Sequence, residues 1–422
     1  FPFFTFLFAD LHAHMMVIPF TLLVIGLGLS LVVGLRDGGR IWPVAAVGAL
    51  SLALGSLWAI NSWDYPSYAI LTVVLLALAV YFKPGPAVAR LCLLVSLTAG
   101  VVALSLLAFL PFHQSYEAFN AGLDVSRWRT PVDRFMGIHG LFLFIIATFL
   151  VYQARSNLTM LVRGIIPGAR GLLGAIAGTR ERCLSLSAPT LALALGLAVA
   201  IVLAATGYWT ALLLMVLMLL AGVVLRDVLR PEGGDRPFAA VPLVLLVMGL
   251  AIAIGVDLVR VEGDIGRMNT LFKYYLEVWV LLSLASAYML WRLGSQGFFR
   301  WRGRWATGVW LMVLVALLGS SLIYTALGTR ARVADRFSPG PSTLDGAAYM
   351  ARAVHREDGR PLALKWDLEA IRWLQDNVAG SPVVLEAHNE QYRWSARISI
   401  YTGLPTVLGW PWHQIQQRTP YE

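Results

Sequence analysis

Ten apolar runs divide the first 325 residues of this chain, at about 15–35, 41–61, 67–82, 91–111, 138–153, 187–205, 209–225, 238–256, 275–291 and 306–325. A helical span needs roughly 20 apolar residues to cross a bilayer, and inside lipid every backbone polar group must be paired within the segment. The spacing therefore predicts an all-α polytopic membrane protein of about ten transmembrane helices. Run 67–82 is short, and runs 187–205 and 209–225 are joined only by Thr206-Gly207-Tyr208, a tight hairpin. A soluble globular chain of 422 residues does not need 58% hydrophobic and only 14% charged residues, or a mean hydropathy of +0.70. The stretch from 326 to 422 is mixed in composition, so the expected division is a transmembrane domain over 1–325 and a smaller domain over 326–422.

Charge placement orients the chain. One alternate set of loops holds Arg36, Arg40, Lys83, Arg90, Arg155, Arg163, Arg170, Arg180, Arg182, Arg226, Arg230, Arg236, Arg292, Arg300, Arg302 and Arg304, sixteen basic residues. The other holds Arg127, Arg129, Arg134, Arg260, Arg267 and Lys273, six in all. Basic loops stay on the cytoplasmic side. The count predicts that the stretch around Asp10, the loops near 62–66, 112–137 and 257–274, and the C-terminal domain face outward. The net charge of +9 is then a topological bias and implies no nucleic-acid partner.

Phe8-Ala9-Asp10-Leu11-His12-Ala13-His14 lies directly before the first run. Ionisable groups at the lip of a span are costly to desolvate and mark a functional position. Asp10 and His14 share a face if the stretch is helical, and all three polar residues share one if it is extended. Either geometry allows a shared proton or a shared metal; the plainer reading is that these residues end the span in solvent.

Three outward loops carry further polar chemistry. Asn61-Ser62-Trp63-Asp64-Tyr65-Pro66 joins two runs with almost no linker. Asp64 would contact a headgroup or sugar, or more plainly cap the next helix ahead of Pro66 in an aromatic-belt turn. The loop 112–137 carries His113, Glu117, Asp124, Arg127, Trp128, Arg129, Asp133 and Arg134, whose balanced charges and aromatics suit either an outward loop lying over a site or a solvated connector, with no role assigned to any one residue. In the stretch 262–275, Arg267, Asn269 and Lys273 lead into a span. Arg offers phosphate a bidentate fork and Lys a point charge, beside the positive end of the helix. The alternative is a pair of snorkelling cations.

In the tail, 367–379 reads as an amphipathic helix with Leu368, Ile371, Leu374 and Val378 on one stripe, stopped by Gly380. Residues 382–386 read as a buried strand, with Glu386, His388, Asn389 and Glu390 near its C-terminal end, where α/β folds bind ligands. A small α/β domain is expected. Tyr401 and Trp410 belong to an aromatic cluster suited to stacking on sugar rings or to docking at a membrane interface. No Walker loop, dinucleotide fingerprint or cysteine metal cluster occurs. Cys92 and Cys183 are far apart and form no disulfide framework. The chain opens at Phe1 inside an apolar pattern, without a charged n-region or cleavage site, and reads as a fragment whose upstream part is missing.

The stretch Phe1-Pro2-Phe3-Phe4 through His14, Asn61-Ser62-Trp63-Asp64, Gly266-Arg267-Met268-Asn269-Thr270-Leu271-Phe272-Lys273, and Tyr401-Thr402-Gly403-Leu404-Pro405 with Gly409-Trp410 together resemble the YYY family of uncharacterised prokaryotic polytopic membrane proteins, over most of the chain. That family is similar in layout to membrane-embedded glycosyltransferases of the GT-C fold, such as protein mannosyltransferases. Those enzymes take sugars from polyprenyl-phosphate carriers and carry an Asp-x-His-Pro-Pro-like stretch before a span. The resemblance implies a GT-C-like architecture and matches Asp10 and His12 to the acid and His of that stretch. Ala13 and His14 stand where prolines are usual. The principal catalytic acid of the fold would lie upstream of Phe1.

The expected function is transfer of a sugar from a polyprenyl-phosphate donor on the extracytoplasmic face, by an integral protein of the prokaryotic plasma membrane. Asp10 would act as general base on the acceptor hydroxyl or, with His14, hold a divalent ion such as Mg or Mn, with His12 beside it. Arg267 and Lys273 would stabilise the leaving phosphate; Asp64, Asn269, Tyr401 and Trp410 would contact substrate and membrane lipid. Two other classes stay open. A transporter or channel requires ionisable residues near the midplane and internal repeats, whereas the runs hold few charges and no clear repeat. A structural subunit of a membrane complex would use the polar loops for docking.

Overall fold

In the computed structural model of the protein, ten apolar helices follow the ten runs: α1 (Ile18–Asp37), α2 (Ile41–Ile60), α3 (Asp64–Phe82), α4 (Ala87–Leu107), α5 (Val132–Ile176), α6 (Ala188–Ala205), α7 (Trp209–Leu229), α8 (Arg236–Leu258), α9 (Met268–Ser295) and α10 (Gly303–Arg336). The structure describes the chain except residues 1, 9–11, 38–40, 117–121, 177–187, 231–235, 263–266, 302, 337–339, 341 and 419–422, and except the side chains of 37, 41–43, 156–176, 188–195, 301, 413 and 416–418. Asp10, Glu117, Cys183 and the side chains of Arg40, Arg163, Arg170, Arg180, Arg182 and Arg302 therefore lie outside the described residues. Among the described residues, eight helices are long and apolar enough to cross a membrane, and the described parts of α2 and α6, Val44–Ile60 and Gly196–Ala205, are shorter apolar helices. The chain divides into two compact units, Phe1–Leu322 and Ile323–Glu422, with the boundary inside α10.

The first unit is organised around α8. Leu243, Leu246, Leu250, Ala253 and Val256 on this helix join a buried cluster with α5, α7 and α9. Ala240, Val241, Val244 and Leu245 join a second cluster with α1, α2 and α3. A helix apolar all round is one that is buried on several sides, and α8 with its neighbour α9 fills that position. By contrast α4 and α10 are the least buried spans, and their apolar side chains point outward, as lipid contact requires. Close approach between α2 and α4 rests on Gly55, where an added Cβ would meet the Ser105 backbone oxygen and the Phe109 ring. Small residues serve this purpose wherever membrane helices pack backbone to backbone.

Two short strands, β1 (Leu123–Val125) and β2 (Val259–Val261), pair antiparallel and tie the loop before α5 to the loop before α9. Arg260 reaches across this ladder to Asp124 at 2.8 Å, and its guanidinium holds the Asp124 carboxyl below the usual carboxylate range.

The second unit departs from the expected α/β domain. Its sheet is an antiparallel hairpin, β3 (Val354–Glu357) and β4 (Arg360–Ala363), closed by Asp358-Gly359 with both residues at positive φ, the Asp-Gly pair that two-residue hairpin turns favour. The stretch 382–386 is no buried strand: it makes a single parallel bridge, Val384 to Thr406, and leaves Val383 and Leu385 exposed. Pro382 and Pro405 flank that bridge without N–H groups, so no ladder can extend. The amphipathic helix does form, as α11 (Lys365–Asn377), and buries Leu368 and Ile371 with Met350 and Leu364.

Gly55→Ala should lower stability by about 1–3 kcal/mol through overpacking. Gly48→Ala, where an added Cβ meets nothing within 4 Å, serves as the neutral control in the same detergent melts. Equal melting temperatures for the two variants would contradict the close contact.

Candidate functional site

Four polar segments meet at one end of the first unit. The His14 ring lies 6.3 Å from Phe272 of α9. The Lys273 ammonium sits over the Trp63 ring at 4.4 Å. The Tyr116 hydroxyl donates to Ser62 Oγ at 3.3 Å, and the β1–β2 ladder joins the remaining loops. The stretches at 12–14, 61–66, 112–137 and 257–274 are therefore neighbours in space.

Arg267, which precedes α9, anchors this end. One terminal nitrogen donates to Asp257 Oδ1 at 2.7 Å and to the carbonyls of Trp128 and Val256, both at 3.2 Å; the other donates to Thr130 Oγ1 at 2.9 Å. Thr130 in turn donates its N–H (3.1 Å) and hydroxyl (2.5 Å) to the same Asp257 oxygen and lies 3.0 Å from the Tyr275 hydroxyl. Both members of the ion pair are buried. The guanidinium expected to grip phosphate is thus committed to locking the ends of α8 and α9 to the segment before α5. Only its Nε lacks a hydrogen-bond partner.

Two faces of α9 line two different cavities. Met268, Leu271, Phe272 and Tyr275, on one stripe of the helix, line a cavity of about 480 Å³ together with Phe135, Ile138 and Pro131; Arg129, Arg134 and Arg267 also line it. The walls are mostly apolar, and Arg129 and Arg134 are exposed. Arg129 also stacks on the Tyr208 ring at 4.9 Å. Lys273, Leu276, Glu277 and Val280, on the next stripe, line a cavity of about 10 Å³ with His14, Thr21, Asp64 and Tyr68. Asp64 and Glu277 are each 3% exposed. Asn61 donates its side-chain amide to Asp64. Neither carboxyl oxygen of Glu277 has a hydrogen-bond partner among the described residues, although Ser67 stands beside it.

Asp64 differs from its plainer sequence reading. Trp63 occupies the N-cap of α3 without a side-chain bond, and Asp64 is a buried helical residue turned into the small cavity. His12 is exposed at the start of the short helix Ala13–Met16, its ring 5.1 Å from that of His14. Asn269 is exposed in the first turn of α9. Asp10 lies outside the described residues. Among the described residues no group of three His, Cys, Asp or Glu side chains is arranged to hold a metal.

Tyr401 and Trp410 belong to the second unit. The Tyr401 hydroxyl pairs with Tyr349 at 2.5 Å, and burial together with that partner pushes the Tyr349 phenol up. Trp410 donates to Ser395 Oγ at 3.0 Å and leans on Tyr392. The polar cluster expected to bind ligand serves the unit's own structure: Glu386 accepts the Ile398 N–H, and Asn389 donates to Glu357.

Sequence reasoning passed over Glu277, Asp257 and Thr130. The first two carried a signal, an acid inside or at the end of an apolar run. Thr130 carried none, and neither did His139, fully buried beside Phe135, Phe142 and Tyr275, with neither ring nitrogen partnered among the described residues.

Residues 1–282 match the model of a family described as uncharacterized membrane protein (DUF2298). Neither the curated proteins nor the solved structures contain a match to the chain.

Arg267→Ala leaves Asp257 buried without its counter-charge and should cost about 3–5 kcal/mol, read as lost melting temperature and abundance. The double variant Arg267→Met, Asp257→Leu removes both charges and should recover much of that loss. A melting temperature unchanged by Arg267→Ala would contradict the buried pair.

Proposed function

The chain belongs to the DUF2298 family of uncharacterized membrane proteins, and from that premise we propose that it is an integral membrane glycosyltransferase that moves a sugar from a polyprenyl-phosphate donor on the extracytoplasmic face. The observation that carries this reading is the 480 Å³ cavity, apolar in its walls and bordered by exposed Arg129 and Arg134. An isoprenoid phosphate needs that pairing of surfaces: apolar area for the first prenyl units and guanidinium forks for the phosphate. In this reading Arg129 and Arg134 take the phosphate-binding role, while Arg267 keeps the wall behind them rigid.

The chemistry follows from the donor. An acceptor hydroxyl attacks the anomeric carbon, the bond from that carbon to the phosphate oxygen breaks, and the hydroxyl proton passes to a base. Asp10 is the proposed base, with His12 and His14 close to it in the chain; the His14 ring lies 6.3 Å from that of Phe272, which lines the large cavity. Arginines beside the departing phosphate stabilise the charge that develops there. Asp10 and His14 are also the proposed ligands of a Mg or Mn ion, a pair that leaves most positions to water and donor oxygens, as Mg²⁺ sites commonly do. The outward assignment of this end rests on the sixteen-to-six bias of basic residues between the two sets of loops.

The test is transfer of radiolabelled sugar from polyprenyl-phosphate donors in proteoliposomes. Arg129→Ala with Arg134→Ala should lower turnover about ten- to hundredfold, the worth of one or two charge-assisted contacts, with the melting temperature unchanged. Full turnover in that variant would overturn the phosphate assignment, and no transfer by the wild type from any such donor would overturn the function.

A further inference from the structure

The small cavity between α3 and α9 holds two acids to which sugar transfer assigns no role, Asp64 and Glu277. It has room for about one water molecule or one small ion, far too little for a sugar. Yet it is lined by two acids inside spans, and a buried acid in a membrane span is expensive enough to demand a purpose. Glu277 is only 3% exposed, and among the described residues neither carboxyl oxygen has a hydrogen-bond partner, although Ser67 stands beside it. Its side chain lines the cavity opposite Asp64, and the two carboxyls act on each other electrostatically.

We propose that Asp64 and Glu277 form a site for one monovalent cation, taken up as a proton or as Na⁺. The argument is a charge count. Two ionised carboxyls bring two negative charges, and the Lys273 ammonium in the same lining returns one. One uncompensated negative charge at a buried position is costly, and one added monovalent cation cancels it. A divalent ion would overshoot the balance beside Lys273, and three His, Cys, Asp or Glu ligands for it are not assembled among the described residues. Oxygen donors suit the small hard cation, and the lining supplies them in the carboxyls of Glu277 and Asp64, with Tyr68 beside them. Among the described residues, the titratable groups facing the pair are His14, Tyr68, Lys273 and Tyr274; the first-span residues that close the cavity, Val17, Ile18 and Thr21, carry no charge.

The site shares only His14 of its lining with the residues of the transferase reading, and its test reads no sugar transfer, so either reading can fail without the other. The protein is purified in nanodiscs and titrated with NaCl against choline chloride at constant ionic strength, following the melting temperature and the fluorescence of tryptophans such as Trp63, whose ring lies under the Lys273 ammonium. Carboxylic-acid infrared bands are followed across pH without Na⁺. Na⁺ as the ligand gives a saturable rise in melting temperature that choline does not. A proton as the ligand gives one carboxylic-acid band that vanishes as pH rises, with no sodium response. Glu277→Gln should abolish whichever signal the wild type shows, and Asp64→Asn serves if that variant does not fold. A wild type with neither signal, or a signal that survives in a folded variant, would overturn the proposal.

Discussion

The buried ion pair between Arg267 and Asp257 is the interaction on which the polar end of this membrane protein depends. Two charges at the edge of a bilayer persist there only if each is neutralised and its remaining hydrogen-bonding capacity filled. Thr130 and the carbonyls of Trp128 and Val256 do the filling. The pair thereby holds the end of α8, the start of α9 and the segment before α5 in one arrangement. The large cavity follows from this, because two of those segments, the one leading into α5 and the start of α9, form its walls.

The start of α9 sets the division of labour. Its side chains recur every three or four residues on one face, so neighbouring stripes look into different spaces. One stripe is Met, Leu, Phe and Tyr and meets a roomy apolar cavity. The other carries Lys273 and Glu277 and meets a space of one water, closed by α3 and the N-terminal helices. A single helix thus serves lipid-like and ionic chemistry, separated by the width of its own backbone.

Much of the architecture was legible in the chain. Apolar runs of membrane length are a strong signal, since lipid leaves the backbone no alternative to helix, and each run found its helix. The stripe of Leu368 and Ile371 was legible for the same kind of reason, a local period, although the helix ends at Asn377, before the expected stop at Gly380. The Asp358-Gly359 hairpin was equally local and went unread. The strand expected at 382–386 was misjudged because a run of Val and Leu looks alike whether or not a partner strand exists, and two prolines denied it one.

The sequence by itself determined that this is a membrane protein of about ten apolar helices with its unusual polar residues gathered in alternate loops, because hydropathy, period and charge bias are properties of neighbouring residues. It could not decide which polar side chains meet. Arg267 in the chain is a cation before a span, equally fit for phosphate or for a carboxylate; only packing brought Asp257, ten residues upstream, and Thr130, more than a hundred upstream, onto its guanidinium. Asp64 and Glu277 lie more than two hundred residues apart in the chain, and the tertiary structure alone put both into one cavity. Burial and partnership are set by contacts distant in sequence, and they decide whether a charge is structural, ligand-binding or poised to take up a cation.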